Sequence, residues 1–446
     1  ELEVGNIDNT GPEVFDIQKT IAANGDETFV FNITDKNYDP SKIVDISELN
    51  ITIDGVQLSS NITKKLTCQT TITEQGTNIV RGHQYTLTLT GMKESVASFA
   101  SAVTSNKRSY RENSGTVKIA INANAARDLG GNTLNTDTTT ITSFNDKIAP
   151  EVVYKWSDSV INKNNKTFTM VFGITDKYYD ASKSTKINVG ELGITIDGKN
   201  PTGTTKTLSD PVPWIENGKT IGVKYTLVIS NLQQLQIKDG DKYLDYSGVV
   251  TVTIPANKVK DTSSQGNIVK NITSGITIPG ETGSEEIVDV VDPFWQVSDI
   301  NINKSTSQVT MTLKGTDKYF EKSTLTPNDI AVWIDGEEAT SISRNLSPAT
   351  ELKDGSTKIG VQYTLTLSNW QESSKQSGKS YLEWSGDTKI KIAARKLKDT
   401  NDNYSIAQEF EIGQVDFIKP MIEKVSSTKG TNTETIVFDV NDKYIS

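Results

Sequence analysis

Cysteine and histidine each occur once, as Cys68 and His83, in a chain of 446 residues. A single cysteine forms no intrachain disulfide, and without Cys/His clusters neither a zinc site nor a Cys/His catalytic pair has anything to be built from. Ser/His/Asp catalysis would rest on His83 alone. That residue lies in the run RGHQYTLTL, which recurs without its histidine as IGVKYTLVI and IGVQYTLTL, so it reads as an exposed strand residue. No segment reaches the roughly 18 apolar residues of a membrane helix. There is no long block of like charge, and a formal charge of −10, from 56 acidic against 46 basic residues, argues against nucleic acid, whose phosphates need a basic face. No signal peptide is visible and Glu1 stands inside what reads as a domain tail, so a mature or excised piece is expected. Hydrophobic residues are only 35% of the total. That is little for large cores but enough for thin sandwiches whose strands bury alternate side chains. Length alone points to about three domains.

What is present is repetition. ITDKNYD at Ile33 returns as ITDKYYD at Ile174, GTDKYFE at Gly315 and VNDKYIS at Val440, so that Asp35, Asp176, Asp317 and Asp442 are 141, 141 and 125 residues apart. YTLTL at Tyr85 returns as YTLVI at Tyr225 and as YTLTL at Tyr363, and IDG stands at Ile53, Ile196 and Ile334. YRENSG, YLDYSG and YLEWSG, from Tyr110, Tyr243 and Tyr381, are each followed 18 residues after the tyrosine by an aspartate: Asp128, Asp261 and Asp399. A joint of the form D-x-x-x-P starts at Asp8, Asp146, Asp289 and Asp416. Proline cannot donate to a ladder and favours an extended residue before it, which suits a boundary. The domains are therefore placed at 12–149, 150–292 and 293–419, with 1–11 the tail of a preceding repeat or leader and 420–446 the first strands of a fourth, incomplete unit. Phe29, Phe31 and Ile33 alternate with other residues, as do Phe168, Met170, Phe172 and Ile174, and Val309, Met311 and Leu313. That period of two marks strands with one buried face. About seven such runs per unit predict an all-β chain of Greek-key sandwiches. The stretch between each YTL strand and SG turn, such as GMKESVASFASAVTSNKRS, is read as a short helix.

These residues resemble the tandem bacterial immunoglobulin-like domains of surface adhesins, S-layer proteins and cell-wall stalks. The resemblance lies in FxITDxxxD…ITIDG early, YTLTL in the middle, and ARDLGGN…DKIAP across the joint, and it covers essentially the whole chain. The third unit departs from it, with DTNDNYS where a Gly-Asn turn is expected. The resemblance implies tandem immunoglobulin-like sandwiches in an elongated rod. It also implies a non-enzymatic role as the repeat shaft of an extracellular, cell-surface or cell-wall protein, with neighbouring copies or further repeats as partners. The other reading of the same fold is a module that binds carbohydrate or a host receptor through its loops, since the sandwich hosts many functions.

Calcium is the candidate ion. It takes six to eight oxygens, carboxylates and carbonyls. The joint aspartates Asp146, Asp289 and Asp416, each with a carboxylate of the preceding turn (Asp128, Asp261 and Asp399), can supply some of them, and the resembled family often binds calcium at such junctions. Against this stands plain turn capping by aspartate. Lys36, Lys177, Lys318 and Lys443 recur in a place where an isopeptide cross-link to asparagine is conceivable. Strand phase instead puts Asp35 on the inner face with Ile33 and turns Lys36 to solvent. By the same reading Asp176 caps the strand exit, Lys177 faces solvent, and Tyr178 or Tyr179 covers the rim. Trp156, Trp214, Trp295, Trp333, Trp370 and Trp384 could stack on sugars, but most do not recur between units and read as packing. Asp245 and Glu383 sit in turns with no cleft between them, so no glycosidase is expected. Residues 420–446 hold two strands only, which implies either a longer array or completion by strand addition from another chain.

Overall fold

The computed structural model describes residues 8–58, 60–92, 113–135, 140–146, 148–216, 218–232, 246–278, 283–370, 384–442 and 444. Among them the regular elements are antiparallel strands and single 3-10 turns, and no helix is long and apolar enough to cross a membrane. The short helix expected before each SG turn falls on 93–112, 233–245 and 371–383, outside the described residues.

The first unit shows the plan. Strands β1 (Glu13–Ile21), β2 (Glu27–Thr34), β3 (Leu49–Ile53), β4 (Val56–Gln57), β5 (Thr63–Thr73), β6 (Val80–Thr90), β7 (Gly115–Ile121) and β8 (Thr140–Asn145) make two four-stranded sheets, ordered β1-β2-β6-β5 and β4-β3-β7-β8. The alternation read from sequence is the cause. Phe29, Phe31 and Ile33 on β2 and Tyr85, Leu87 and Leu89 on β6 turn inward, against Ile51, Ile53, Val117, Ile119 and Ile121 of the other sheet, in one buried cluster. Each such side chain, fully buried, contributes about 1.5–3 kcal/mol. The chain changes sheet after β2, after β4 and after β6, so β2 pairs with β6 and β3 with β7.

The same pairings return downstream. Thr167–Thr175 lies beside Lys219–Ser230 and Gly193–Ile196 beside Gly248–Ile254; Gln308–Thr316 lies beside Thr357–Ser368 and Ile330–Ile334 beside Gly386–Ile392. The buried side chains form three clusters that share no residue, running from Val14 to Ile141, from Val152 to Val290 and from Trp295 to Val415. Beyond them, Met421–Lys429 and Glu434–Asn441 pair as a hairpin on which Ile422, Val425, Ile436, Phe438 and Val440 are exposed.

One glycine per unit decides where the long core strand ends. Gly82, Gly222 and Gly360 face Thr34, Thr175 and Thr316 across the ladder. A Cβ on them would stand 2.1, 2.1 and 2.2 Å from the carbonyl oxygens of Ile33, Ile174 and Gly315. The close approach lets the next residue, the aspartate of each Asp-Lys pair, continue the ladder: Asp35, Asp176 and Asp317 donate their N–H to the carbonyls of Arg81, Ile221 and Ile359 at 2.9, 2.7 and 2.9 Å.

His83 corrects the sequence reading. It is buried, not exposed, with its ring edge-on to Tyr38 at 5.4 Å and Tyr85 at 6.3 Å. Neither ring nitrogen has a hydrogen-bond partner among the described residues. The matching residues are Val223 and Val361. A buried polar group without a partner is a cost, so His83→Val is expected to stabilise the first unit by about 1 kcal/mol. Calorimetry checks this, and a lower melting temperature for the variant would refute it.

Candidate metal centre at the joints

Among the described residues, two of the four joints gather three aspartates that lie far apart in sequence, and neither group includes Asp146, Asp261 or Asp416. Asp8, Asp35 and Asp128 present carboxylate oxygens within 4.8 Å of one another, and so do Asp289, Asp317 and Asp399. Three elements supply them: the extended joint segment, the exit of the long core strand, and the turn that follows the SG strand. Their grouping differs from the sequence expectation. Asp128 and Asp399 meet the joint aspartate that precedes their own unit, Asp8 and Asp289, so each group belongs to the N-terminal end of a unit.

The turn aspartates are built alike. Asp128, Asp261 and Asp399 each accept, on Oδ1, the backbone N–H four residues on, from Asn132, Gln265 and Asn403, at 2.7, 2.8 and 2.7 Å. DTNDNYS, the apparent departure, thus keeps the turn: Asn403 also donates Nδ2 to Asp399 Oδ2 at 2.7 Å, as Asn132 does to Asp128 at 2.6 Å. Amides tie the turn to the joint as well. Asn132 Nδ2 donates to the Asp8 carbonyl at 2.9 Å, Gln265 Nε2 to the Asp146 carbonyl at 3.1 Å, and Asn401 Nδ2 to Asp289 Oδ2 at 2.8 Å.

Asp289 is held from both sides of its joint. Its Oδ1 accepts from Ser247 Oγ of the preceding unit at 2.8 Å and from Val291 N at 3.0 Å, while Oδ2 meets Asn401 of the following unit. Asp416 repeats the upstream half, accepting from Ser385 Oγ at 3.2 Å. Asp146 is buried, and its carbonyl accepts from Gln265 Nε2.

The Asp-Lys aspartates were read as caps alone. They are caps: Oδ1 of Asp35, Asp176, Asp317 and Asp442 accepts the N–H two residues on, at 2.5, 2.6, 2.7 and 2.7 Å. Asp35 and Asp317 are also the third carboxylate of each group, a role that their varying distance in sequence from Asp128 and Asp399, 93 and 82 residues, did not signal. Lys177 is a second correction. It does not point into solvent but reaches the preceding unit, with Nζ 2.8 Å from Asp54 Oδ2 and 2.9 Å from the Ser114 carbonyl.

Electrostatics favour a cation. Asp289, Asp317 and Asp399 are at most 3% exposed. Burial, with the Asp289 charge added, pushes the Asp399 carboxyl up to about 6. Burial likewise raises Asp35, with Asp8 and Asp128 adding to it, and raises Asp261. Asp8 is held low, first by the Asn37 amide. Two buried acceptors, Asp261 Oδ2 and Asn403 Oδ1, have no hydrogen-bond partner among the described residues. A set made only of carboxylate and amide oxygens fits a hard ion such as calcium.

With no ion present the same group gives a signed pH dependence. Because the folded carboxyl of Asp399 titrates near 6 and its ordinary value is 3.8, the folded state holds more protons between those limits. In chelator, the stability of the third unit is therefore expected to rise as pH falls from about 7 to about 5. In calcium the trend should reverse, because protons compete with the ion. Melts across that range in both buffers check the two signs.

The tryptophans pack within their own units. Trp295 and Trp370 are 1% exposed and Trp384 is 8% exposed, its Nε1 donating to Ser341 Oγ at 2.7 Å. Trp214 lies over Gly173 and Trp156 beside Phe168; Lys391 covers Trp333 at 4.0 Å.

No family model and no curated protein matches the chain. Among solved structures it is similar to one titled "Biofilm associated protein - BSP domain", at 11% identity over 92% of this chain and 82% of that one. The TM-score is 0.17, a likeness too slight to carry an inference.

Proposed function

We propose that the chain is a non-enzymatic structural segment, the repeat shaft of a bacterial cell-surface protein, whose joints are closed by calcium. The observation that carries the reading is Asp289. It is bonded to Ser247 upstream and Asn401 downstream and grouped with Asp317 and Asp399. A divalent cation there would offset two of the three negative charges of the buried carboxylates contributed by the joint and by the unit after it, and so fix the angle at which the next sandwich leaves. Asp289, Asp317 and Asp399 would hold it at the second joint, and Asp8, Asp35 and Asp128 ahead of the first unit. Three independent cores in series supply the extension-resistant bodies between such joints.

Calorimetric titration of the chelated chain with calcium tests the reading, alongside small-angle scattering in both states. The expected result is binding at more than one site, with a higher melting temperature and a narrower range of shapes. No heat of binding together with identical scattering would overturn the junction ion.

A further inference from the structure

A second joint device is built from the other markers, IDG and SG. In the first unit Asp54 takes up a left-handed turn (φ 48) before Gly55. Its N–H donates to the Thr116 carbonyl at 2.9 Å and its Oδ1 accepts from Thr116 N at 2.8 Å. A Cβ on Gly115 would lie 2.5 Å from its carboxylate. The glycine is therefore what lets the carboxylate settle against the SG strand. Asp197 repeats this, with φ 47, Val249 N donating to Oδ1 at 2.8 Å, and Gly248 at 2.5 Å by the same measure. Asp335 repeats it again with Asp387 N at 2.9 Å and Gly386 at 2.3 Å. Oδ1 is fixed by its own unit in all three.

Oδ2 meets the next unit. Into the first socket comes Lys177, bonded to Asp54 Oδ2 and the Ser114 carbonyl, with Tyr178 Oη donating to the same Oδ2 at 2.6 Å. Phe144 lies edge-on to that tyrosine at 5.2 Å. Into the second comes Lys318, 2.7 Å from Asp197 Oδ2 and 2.5 Å from the Ser247 carbonyl. Two joints with different neighbours use the same three groups: a carboxylate, a serine carbonyl and a lysine ammonium.

We propose that the Asp-Gly turn and Ser-Gly step of each unit form a socket for the lysine ammonium of the following unit, and that this clasp orients successive units without any ion. The clasp adds to the shaft reading and is independent of the calcium in it. Each Asp-Lys pair then works in two directions. The aspartate belongs to the carboxylate group of its own unit, and the lysine grips the unit before. Charge-assisted bonds of this kind are stronger and more directional than neutral ones, and they weaken as salt screens them.

The test uses the full chain, spin-labelled at native Cys68, which is exposed, and at a cysteine introduced at exposed Asn200. Inter-label distances are read in chelator. The parent is expected to give one main distance. Lys177→Met and, from the other side, Asp54→Asn should each raise the fraction of pairs outside it about fivefold, and about 1 M salt, which shortens screening to about 3 Å, should do the same to the parent. Melting of the three units should be unchanged, since neither residue belongs to a buried core and the amide oxygen of Asn can still accept from Thr116 N. If either variant gives the parent's distances in chelator, the clasp is refuted. The calcium titration is read separately, so loss of the ion reading and loss of the clasp are distinguishable.

Discussion

Alanine at Gly222 is expected to destabilise the second unit by about 3 kcal/mol or more and to leave its neighbours' melting unchanged. The added methyl would stand 2.1 Å from the Ile174 carbonyl oxygen and 2.8 Å from Thr175 Cα, both backbone. Nothing there is a flexible side-chain end that can step aside. The φ of 156° adds strain for any residue with a Cβ. The ladder would have to part where Asp176 begins its turn, so the Asp176 N–H bond to Ile221 would be lost with it. Gly218 is the control: its φ of 78° is also left-handed, but no atom lies within 4 Å of its missing Cβ. Gly218→Ala should cost about 1 kcal/mol. Calorimetry of the full chain reads both, because the three cores share no side chain. A Gly222→Ala melt equal to that of Gly218→Ala would show that the close approach is not rigid.

Asp317→Asn is expected to change sign with the buffer. The turn survives, because the amide oxygen still accepts from Tyr319 N as Oδ1 does at 2.7 Å. In calcium the variant loses a ligand carboxylate. Its affinity at the second joint should fall by at least the roughly 10–100-fold that even an outer partner costs. At calcium about 100 times the parent's dissociation constant, a loss of that size removes about 1.3–2.3 of the roughly 2.7 kcal/mol that binding adds to the parent. In chelator the same change removes one of three buried like charges, and the variant should melt above the parent. A conventional structural role would lower stability in both buffers, so a variant less stable in chelator would refute the electrostatic account.

The strands were legible because one buried face imposes a period of two, and Phe29, Phe31 and Ile33 obey it without exception. The turn aspartates were legible from their fixed interval after YRENSG and its copies. Their partners were not. Asp128 lies 120 residues after Asp8 in sequence, and the order of units along the chain does not reveal whether a C-terminal turn folds back to its own N-terminal end or forward to the next joint. Strand phase placed Asp35 inward with Ile33, but phase stops at the strand end, and Lys177 lies just past it. His83 was misread because the absence of histidine from the two copies of its strand was taken to mean exposure, although it stands in phase with Tyr85, Leu87 and Leu89 and its counterparts Val223 and Val361 are apolar.

The separateness of the three cores carries a further meaning for how such a chain changes over generations. Among the described residues, no side chain belongs to the buried core of more than one unit. Each unit carries an aspartate socket toward its successor and, in the second and third, a lysine toward its predecessor. Unequal recombination that inserts or deletes one whole repeat would therefore leave every interior intact and would join a carboxylate to an ammonium at the new boundary. The number of units could then drift almost freely, while the interior of each repeat stays under selection for folding.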